Sequence, residues 1–369
     1  MDLLEALVDR GHDVVLLTNM PDLAAGTSVR TRPIDLGPKL GRRSVARLLL
    51  ETPRLLMRIV RALRAERPVG VLFLHFKKEQ LLCALLPRTL TGRIVWAEWG
   101  PLPPQMRRGP GRWLYALAAS RAAAILAISA GTRQTVIAAG VSPEKVSVVP
   151  NLVDVDDVAF DEDGRRRLRA DWGAGGDTFV IGCMSRLQRR KRNDVVIDAM
   201  AELDGDVLLV IAGDGDEEQA LRTRAAPYGD RVRFVPNVRG HAEAFISACE
   251  VMVFAPSPTE GEPRSIVMAQ LVGVPVIATD AEGAEGLIPE GGGTIVVSPH
   301  DPHALARTLR SYRDDPQRRR GEGAVARAAT LDSHDPERTL QAVKCAFGLP
   351  DCNAHVASRR SRNRWRRRR

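Results

Sequence analysis

Aromatic residues are scarce in this chain of 369 residues, where Phe, Trp and Tyr together make up 4%. Val, Leu, Ile and Ala must therefore build most of the core. With 44% hydrophobic and 27% charged residues, the composition is typical of a soluble globular protein and excludes an intrinsically disordered chain. A chain of this length is expected to form two domains.

Cysteines are few and follow no motif. The five are scattered and odd in number, at Cys83, Cys183, Cys249, Cys345 and Cys352. This pattern excludes a disulfide scaffold and a zinc site, and it favours a reducing, cytoplasmic compartment. No other metal-binding motif is visible in the sequence, so we expect no metal and no cofactor.

Long apolar runs are missing as well. The chain opens MDLLEALVDRGHD, with acids inside its first apolar run, which is unlike a signal peptide. The best candidate for a transmembrane helix, residues 113–129, is rich in Ala and interrupted by Ser120-Arg121. We predict a helix followed by a buried strand there, and no membrane span.

Positive charge is concentrated at the C-terminus. Residues 359–369 read RRSRNRWRRRR and carry eight arginines and no acid, while the net charge of the whole chain is +9. The rest of the protein is therefore nearly neutral. We predict a disordered tail that is either simply solvated or a contact for anionic lipid or nucleic acid, without specific nucleic-acid recognition.

Apolar β-rich runs alternate with helical patterns along the chain. The runs are mostly unalternated, as in strands that are buried on both faces. The predicted strands are His12–Thr18, Gly70–Leu74, Arg93–Glu98, Ala124–Ile128, Val146–Val149, Phe179–Met184, Val207–Ala212, Val232–Val235, Val251–Ala255, Val274–Ala278 and Gly293–Val297. Repeated βα units of this kind predict an α/β fold with two Rossmann-like, doubly wound parallel sheets.

The domain boundary is predicted near residues 151–172, where an acidic segment and a short basic helix follow a strand. We assign residues 1–155 to a first domain, 156–348 to a second domain and 349–369 to the tail. The first domain begins with a helix, although doubly wound domains normally open with a central strand and a Gly-rich turn. Either the written start lies downstream of the real one, or this domain is damaged.

Residues 254–280 combine a buried strand, a polar loop, a helix and a second strand. A loop that opens a helix at the carboxyl end of a parallel strand favours an anionic ligand, because backbone N–H groups and the helix dipole point there. This stretch is similar to the acid-containing signature of the GT-B glycosyltransferases of family 4 (retaining, group 1). Residues 128–154, 181–203, 207–222, 232–238 and 246–257 resemble further segments of that family, in the family's order.

The resemblance implies a cleft between two domains that binds a nucleotide-diphosphate sugar. Arg186 and Lys191 follow the strand Phe179–Met184 and match the residues that contact the diphosphate in the family. Fixed cations suit this role, since negative charge builds on the leaving diphosphate. Gly213 lies in a Gly-x-Gly turn beside the expected donor base, and the missing third glycine of a dinucleotide fingerprint counts against an NAD enzyme.

Glu260 matches the first acid of the family's Glu-x7-Glu pattern, which lies close to the donor sugar, and we assign it the catalytic role. A carboxylate accepts two sugar hydroxyls and stabilises positive charge at the anomeric carbon. Backbone amides of the loop that follows are expected to contact sugar or phosphate; its members are Gly261, Pro263, Arg264 and Ser265. The alternative for Glu260 is a helix-capping or surface acid.

Two positions depart from the family. Met268 stands where the second acid, which binds the ribose hydroxyls, is expected, and Met offers no strong acceptor. On the acceptor side, Trp99 replaces the expected histidine, with Glu98 just before it. A solvated acid at a strand end is an equal alternative for Glu98. His75 ends a strand and is a further acceptor-side candidate, although a structural histidine is the better interpretation.

A basic amphipathic helix is predicted in the first domain. Arg54, Arg58 and Arg61 share one face and would suit peripheral contact with an anionic membrane; an ordinary solvated helix is the alternative. The sequence thus predicts retaining sugar transfer to an unknown acceptor hydroxyl. The alternative function is a degenerate GT-B module that binds a nucleotide sugar or a partner without turnover.

Overall fold

A computed structural model describes residues 2–20, 25–37, 45–238, 240–256, 261–280, 286, 288–296 and 301–349. The predicted catalytic residue Glu260 and the arginine-rich tail lie outside these described residues.

Every predicted strand is present in the structure. The strands are β1 (Val15–Thr18), β2 (Arg30–Pro33), β3 (Val71–Leu74), β4 (Arg93–Glu98), β5 (Ala124–Ala127), β6 (Val146–Val148), β7 (Phe179–Met184), β8 (Val207–Ala212), β9 (Val232–Val235), β10 (Val251–Phe254), β11 (Val276–Thr279) and β12 (Gly293–Val296). Strand β2 was not predicted, because its sequence RTRP is polar and mostly exposed.

The helices alternate with these strands. They are α1 (Asp2–Val8), α2 (Val45–Ala65), α3 (Lys77–Cys83), α4 (Arg88–Thr91), α5 (Pro104–Arg107), α6 (Gly109–Ala119), α7 (Ala130–Ala138), α8 (Glu162–Asp171), α9 (Asn193–Ala199), α10 (Glu218–Ala225), α11 (Ala242–Ser247), α12 (Arg264–Val272), α13 (Pro302–Asp314), α14 (Pro316–Ser333) and α15 (Pro336–Phe347). None of the described helices is both long and apolar enough to cross a membrane.

The chain divides into two compact units. The first contains the residues up to Ala97, Tyr115–Leu126 and residues 336–349, and the second contains Glu98–Leu114 and Ala127–Asp335. Helix α15 belongs to the first unit because the Phe347 ring packs edge-on against Phe73, with 5.0 Å between ring centres. The units divide the chain differently from the predicted domain boundaries at residues 155 and 348, which remain predictions.

Two sheets are formed by the strands of the N-terminal half. Strands β1 and β2 pair in parallel, and β3, β4, β5 and β6 form a four-stranded sheet in that order. Strand β4 is its most buried member, since the residues from Ile94 to Glu98 are all buried. This explains why its apolar run was readable from the sequence.

The second unit is built on a six-stranded parallel sheet in the order β12-β11-β10-β7-β8-β9. Alternate residues of β8 face opposite sides of this sheet. Leu209 and Ile211 belong to a core with α9 and α13, and Leu208 and Val210 to a core with α11 and α12. Helices therefore cover both faces, and each fully buried aliphatic side chain contributes about 1.5–3 kcal/mol.

Helix α12 packs against α14, and the two run in opposite directions. The end of α12 is closed by Gly273 at a φ of 88°, which glycine adopts without strain. A Cβ added at Gly323 in α14 would collide with the carbonyl oxygen of Gly273. Further along, the buried Thr330 hydroxyl donates to Gln270 Oε1 at 3.0 Å. Close helix approach at this point therefore requires glycine at position 323.

The glycines of α14 provide a matched pair of substitutions. A Cβ at Gly321 meets nothing within 4 Å, so Gly321→Ala is expected to raise the free energy of unfolding by about 0.5–1 kcal/mol through helix propensity. Gly323→Ala is expected to lower it by about 1–3 kcal/mol through overpacking. Urea denaturation measures both, and equal effects of the two variants would contradict this helix packing.

Candidate functional site

The carboxyl ends of four neighbouring strands lie along one edge of the six-stranded sheet. Strand β10 pairs with β7, β7 with β8, and β8 with β9, all in parallel. Loops that follow adjacent parallel strands are brought together, and this edge is where open α/β sheets bind ligands. The predicted donor-binding residues Arg186, Lys191 and Gly213 follow two of these strands, and the loop before α12 follows a third.

The loops after β7 and β8 interlock through their backbones. Ser185 N–H donates to the Ala212 carbonyl at 3.1 Å, and Leu187 N–H donates to the Asp214 carbonyl at 2.8 Å. A Cβ added at Gly213, which has a φ of 147°, would collide with the Ser185 carbonyl oxygen. Glycine is thus required for this close approach, and the interlocked backbone fixes the residues that flank Arg186.

The two predicted cations occupy different surroundings. Arg186 is exposed and makes no side-chain hydrogen bond or ion pair within the described part of the chain. Lys191 ends a short 3₁₀ helix (Arg189–Lys191), and its Nζ lies 5.1 Å from the centre of the Phe254 ring. Since Phe254 is the last residue of β10, the Lys191 ammonium is held beside the strand that leads into the loop before α12.

A separate polar cavity of about 620 Å³ lies beside residues 189–192. It is lined by Arg189, Arg190, Arg192 and, from α10, Arg224, together with further residues of α9 and α10. Arg192 pairs with Asp194 at 3.0 Å, and Arg224 pairs with Asp198 at 2.6 Å. These ion pairs neutralise part of the local charge. Neither Arg186 nor Lys191 lines this cavity.

Residues 261–263, here called the entry loop, lead into α12. A Cβ at Gly261 would collide with the carbonyl oxygen of Trp99, so this glycine allows the entry loop to touch the segment that follows β4. Pro263 is buried and occupies the N-cap without a side-chain cap. The first-turn amides, which include those of Arg264 and Ser265, thus remain able to bind an anion.

Met268 lies on α12, where the family pattern predicts an acid. Its side chain is partly buried and packs against the apolar core between the sheet and α11 and α12. This position therefore supplies apolar packing and no carboxylate. The departure seen in the sequence has a structural role of its own.

Glu262, in the entry loop, has a side chain that is only 2% exposed. Its Oε2 accepts the backbone N–H of Asn151 at 2.6 Å, and its Oε1 lies 3.3 Å from His334 Nε2. Both partners are far away along the chain, so no local pattern could have revealed this cluster.

The predicted acceptor-side residues do not share one environment. His75, in the first unit, packs edge-on against Phe73 with 4.5 Å between ring centres. Burial lowers the pKa of His75 to about 4, so its imidazole is neutral at pH 7. In the second unit, Glu98 is buried at the end of β4 and Trp99 is 46% exposed. Their acceptor-side roles remain predictions.

The burial of Lys77, two residues after His75, is a further feature that the sequence did not reveal. Burial lowers the pKa of Lys77 to about 7, and its Nζ lies 5.2 Å from the centre of the Tyr115 ring. The end of β3 therefore carries less positive charge at neutral pH than its sequence, LHFKK, suggests.

Solved structures share this architecture. Anabaena HepE, solved in complex with UDP, matches with a TM-score of 0.79 and 21% sequence identity over 94% of each chain. The fold is GT-B, with two parallel-sheet α/β domains, as the sequence predicted.

Sequence comparisons identify the family. The profile described as Glycosyltransferase Family 4 matches residues 1–157, and the profile described as Glycosyl transferases group 1 matches residues 164–327. The chain belongs to the group 1 glycosyltransferases of the GT-B fold, which confirms the resemblance seen in its motifs.

Two curated relatives show the extent of the similarity. A GDP-mannose-dependent alpha-(1-6)-phosphatidylinositol monomannoside mannosyltransferase of Mycolicibacterium smegmatis is 31% identical over 198 residues, which is 50% of this chain and 51% of the relative. D-inositol 3-phosphate glycosyltransferase 1 of Catenulispora acidiphila is 31% identical over 239 residues, with 61% and 56% coverage. The chain thus matches these relatives over about half of their length.

Proposed function

We propose that this protein transfers a sugar from a nucleotide-diphosphate sugar to an acceptor hydroxyl, with retention of the anomeric configuration. The observation that carries the proposal is the juxtaposition of Lys191 with the end of β10. It places a cation beside the strand that leads to the N-terminus of α12, where the N-cap residue Pro263 makes no side-chain cap. Positive charge and free amides on one sheet edge are what a diphosphate requires.

The chemistry follows from this placement. As the glycosidic bond breaks, negative charge grows on the leaving diphosphate, and preorganised cations stabilise it. Arg186 and Lys191 would supply that charge without a metal or another cofactor. Glu260, which precedes the entry loop, would bind the sugar hydroxyls. HepE binds UDP and UDP-glucose, and the mannosyltransferase relative is GDP-mannose-dependent, so uridine and guanosine donors are the first to test.

Met268 favours the second candidate function, a GT-B module that binds a nucleotide sugar or a partner without turnover. A missing acceptor for a buried ribose hydroxyl costs about 1–3 kcal/mol. That cost weakens donor binding and does not remove the groups that contact the diphosphate. Release of nucleotide from a sugar donor by the wild-type protein separates the two functions. A non-catalytic module would not release nucleotide from a donor, even if it binds one.

Calorimetric titration with UDP, GDP, ADP and their sugar conjugates tests the donor site. Arg186→Ala is expected to weaken binding of the preferred nucleotide about 10- to 100-fold, because a charged hydrogen bond to the diphosphate is lost. The matched control is Arg189→Ala, which removes an exposed arginine of the neighbouring cavity. It is expected to leave the dissociation constant within about twofold, as for other exposed charges.

Two results would contradict the proposal. One is a wild-type protein that binds none of these nucleotides. The other is an equal loss of affinity in both variants, which would show that only the general positive charge of the segment matters.

We also propose a cytoplasmic protein in peripheral contact with an anionic membrane through α2. Arg54, Arg58 and Arg61 are all exposed on this helix, while Leu55 and Ile59 are buried beneath them. Arg58 donates to the Asp35 carbonyl at 2.7 Å. This hydrogen bond lowers the contribution to membrane binding that we expect from Arg58. Helix α6 offers a second surface, because three of its apolar side chains are more than half exposed; they are Trp113, Leu114 and Leu117.

Flotation with vesicles tests this contact and identifies the helix. Replacing Arg54, Arg58 and Arg61 by Ala is expected to weaken binding to phosphatidylglycerol vesicles about 10- to 100-fold, at about 1 kcal/mol per basic group. Trp113→Ala is the comparison for α6, and deletion of residues 359–369 isolates the tail. Binding that is unchanged in the triple variant, or equal on phosphatidylcholine vesicles, would contradict the role of α2.

A further inference from the structure

The Glu262 carboxylate is buried in a loop, where an acid is normally solvated. Its side chain is 2% exposed and that of His334 is 6% exposed. Burying a carboxylate is unfavourable unless its oxygens accept hydrogen bonds. Here one oxygen accepts the Asn151 N–H at 2.6 Å and the other faces His334 Nε2 at 3.3 Å. The two oxygens are therefore tied to two different segments of the chain.

The two segments that contact Glu262 belong to different elements of the fold. Asn151 follows β6 by three residues, and His334 is the C-cap residue of α14. On the far side of the imidazole, Nδ1 lies 3.0 Å from Ser333 Oγ. The imidazole is thus held from both sides, which gives the Glu262 carboxylate a fixed partner.

The contact with His334 completes a series along the α12–α14 pair. Gly323 meets Gly273 at the C-terminal end of α12, Thr330 bonds Gln270 in its last turn, and His334 meets Glu262 just before its N-terminus. These contacts therefore locate α12 at both of its ends. Only the contact between His334 and Glu262 lies in the entry loop, two residues after Glu260 in the sequence.

We propose that Glu262 is a positioning residue that fixes the entry loop in the geometry that binds the donor. This inference rests on the proposed function. The carboxylate holds residues 261–263 through Asn151 on one side and His334 on the other. The orientation of the first-turn amides of α12 toward the donor is thereby fixed. A loop released from these contacts moves, and displacement of binding groups by about 1 Å reduces activity about 100-fold.

Three variants of the full chain separate positioning from stability. Glu262→Leu removes both acceptor oxygens, and Glu262→Gln keeps one acceptor for the Asn151 N–H. The matched control is Glu250→Gln, which alters a carboxylate that accepts the Val180 N–H at 2.7 Å and pairs with Arg169 at 2.9 Å. Glu250 precedes β10 and so lies at the opposite edge of the sheet from the entry loop.

Two measurements are made on each variant. One is the dissociation constant for UDP and GDP by calorimetry, and the other is hydrogen exchange of the amides at residues 261, 262 and 264–266. Glu262→Leu is expected to weaken nucleotide binding about tenfold and to accelerate exchange in the entry loop. Glu262→Gln is expected to recover affinity to within about threefold, since it restores one acceptor. Glu250→Gln is expected to lower the melting temperature without either effect.

The outcomes separate this inference from the proposed function. Unchanged affinity and exchange in Glu262→Leu would overturn the inference, as would equal changes in Glu250→Gln, which would indicate a general loss of stability. A wild-type protein that binds neither nucleotide would overturn the proposed function. In that case the exchange measurement still decides whether Glu262 positions the entry loop.

Discussion

The placement of helix α12 is the constraint on which the candidate site depends. Strand β10 pairs with β7 in parallel, so the loop that leads into α12 and the loop that carries the cations must leave the same edge of the sheet. Helix α14 then locates α12 through the close approach at Gly323 and Gly273. Because glycine removes the side chain at this contact, the two helix backbones lie nearer than most pairs allow. The position of the N-terminal end of α12 is consequently set in part by packing at its other end.

Charge in the site is arranged locally and does not come from the composition of the whole chain. The excess positive charge belongs mainly to the C-terminal run of arginines, and several basic residues of the second unit are neutralised in ion pairs. Arg186 differs from them because it is exposed and makes no ion pair within the described part of the chain. Met268, in contrast, has become part of the apolar core. Under the proposed function, this arrangement provides groups for a diphosphate and lacks an acceptor for a ribose hydroxyl.

Sequence patterns predicted the elements whose signal is local. Strands β7 and β8 were predicted at their observed bounds, because both are continuous apolar runs buried on both faces. Strand β2 was missed, since its sequence is polar and mostly exposed. The Glu262 cluster was missed for a different reason. Its partners lie 111 and 72 residues away in sequence, and only the folded chain brings them together.

A crystal structure of the full chain with the nucleoside diphosphate that it binds most tightly tests the central claim most directly. The account predicts diphosphate oxygens about 2.7–3.2 Å from donor nitrogens of Arg186, Lys191 and the first-turn amides of α12. A nucleotide bound instead in the cavity lined by Arg189 and Arg224, or away from the carboxyl edge of the sheet, would contradict it.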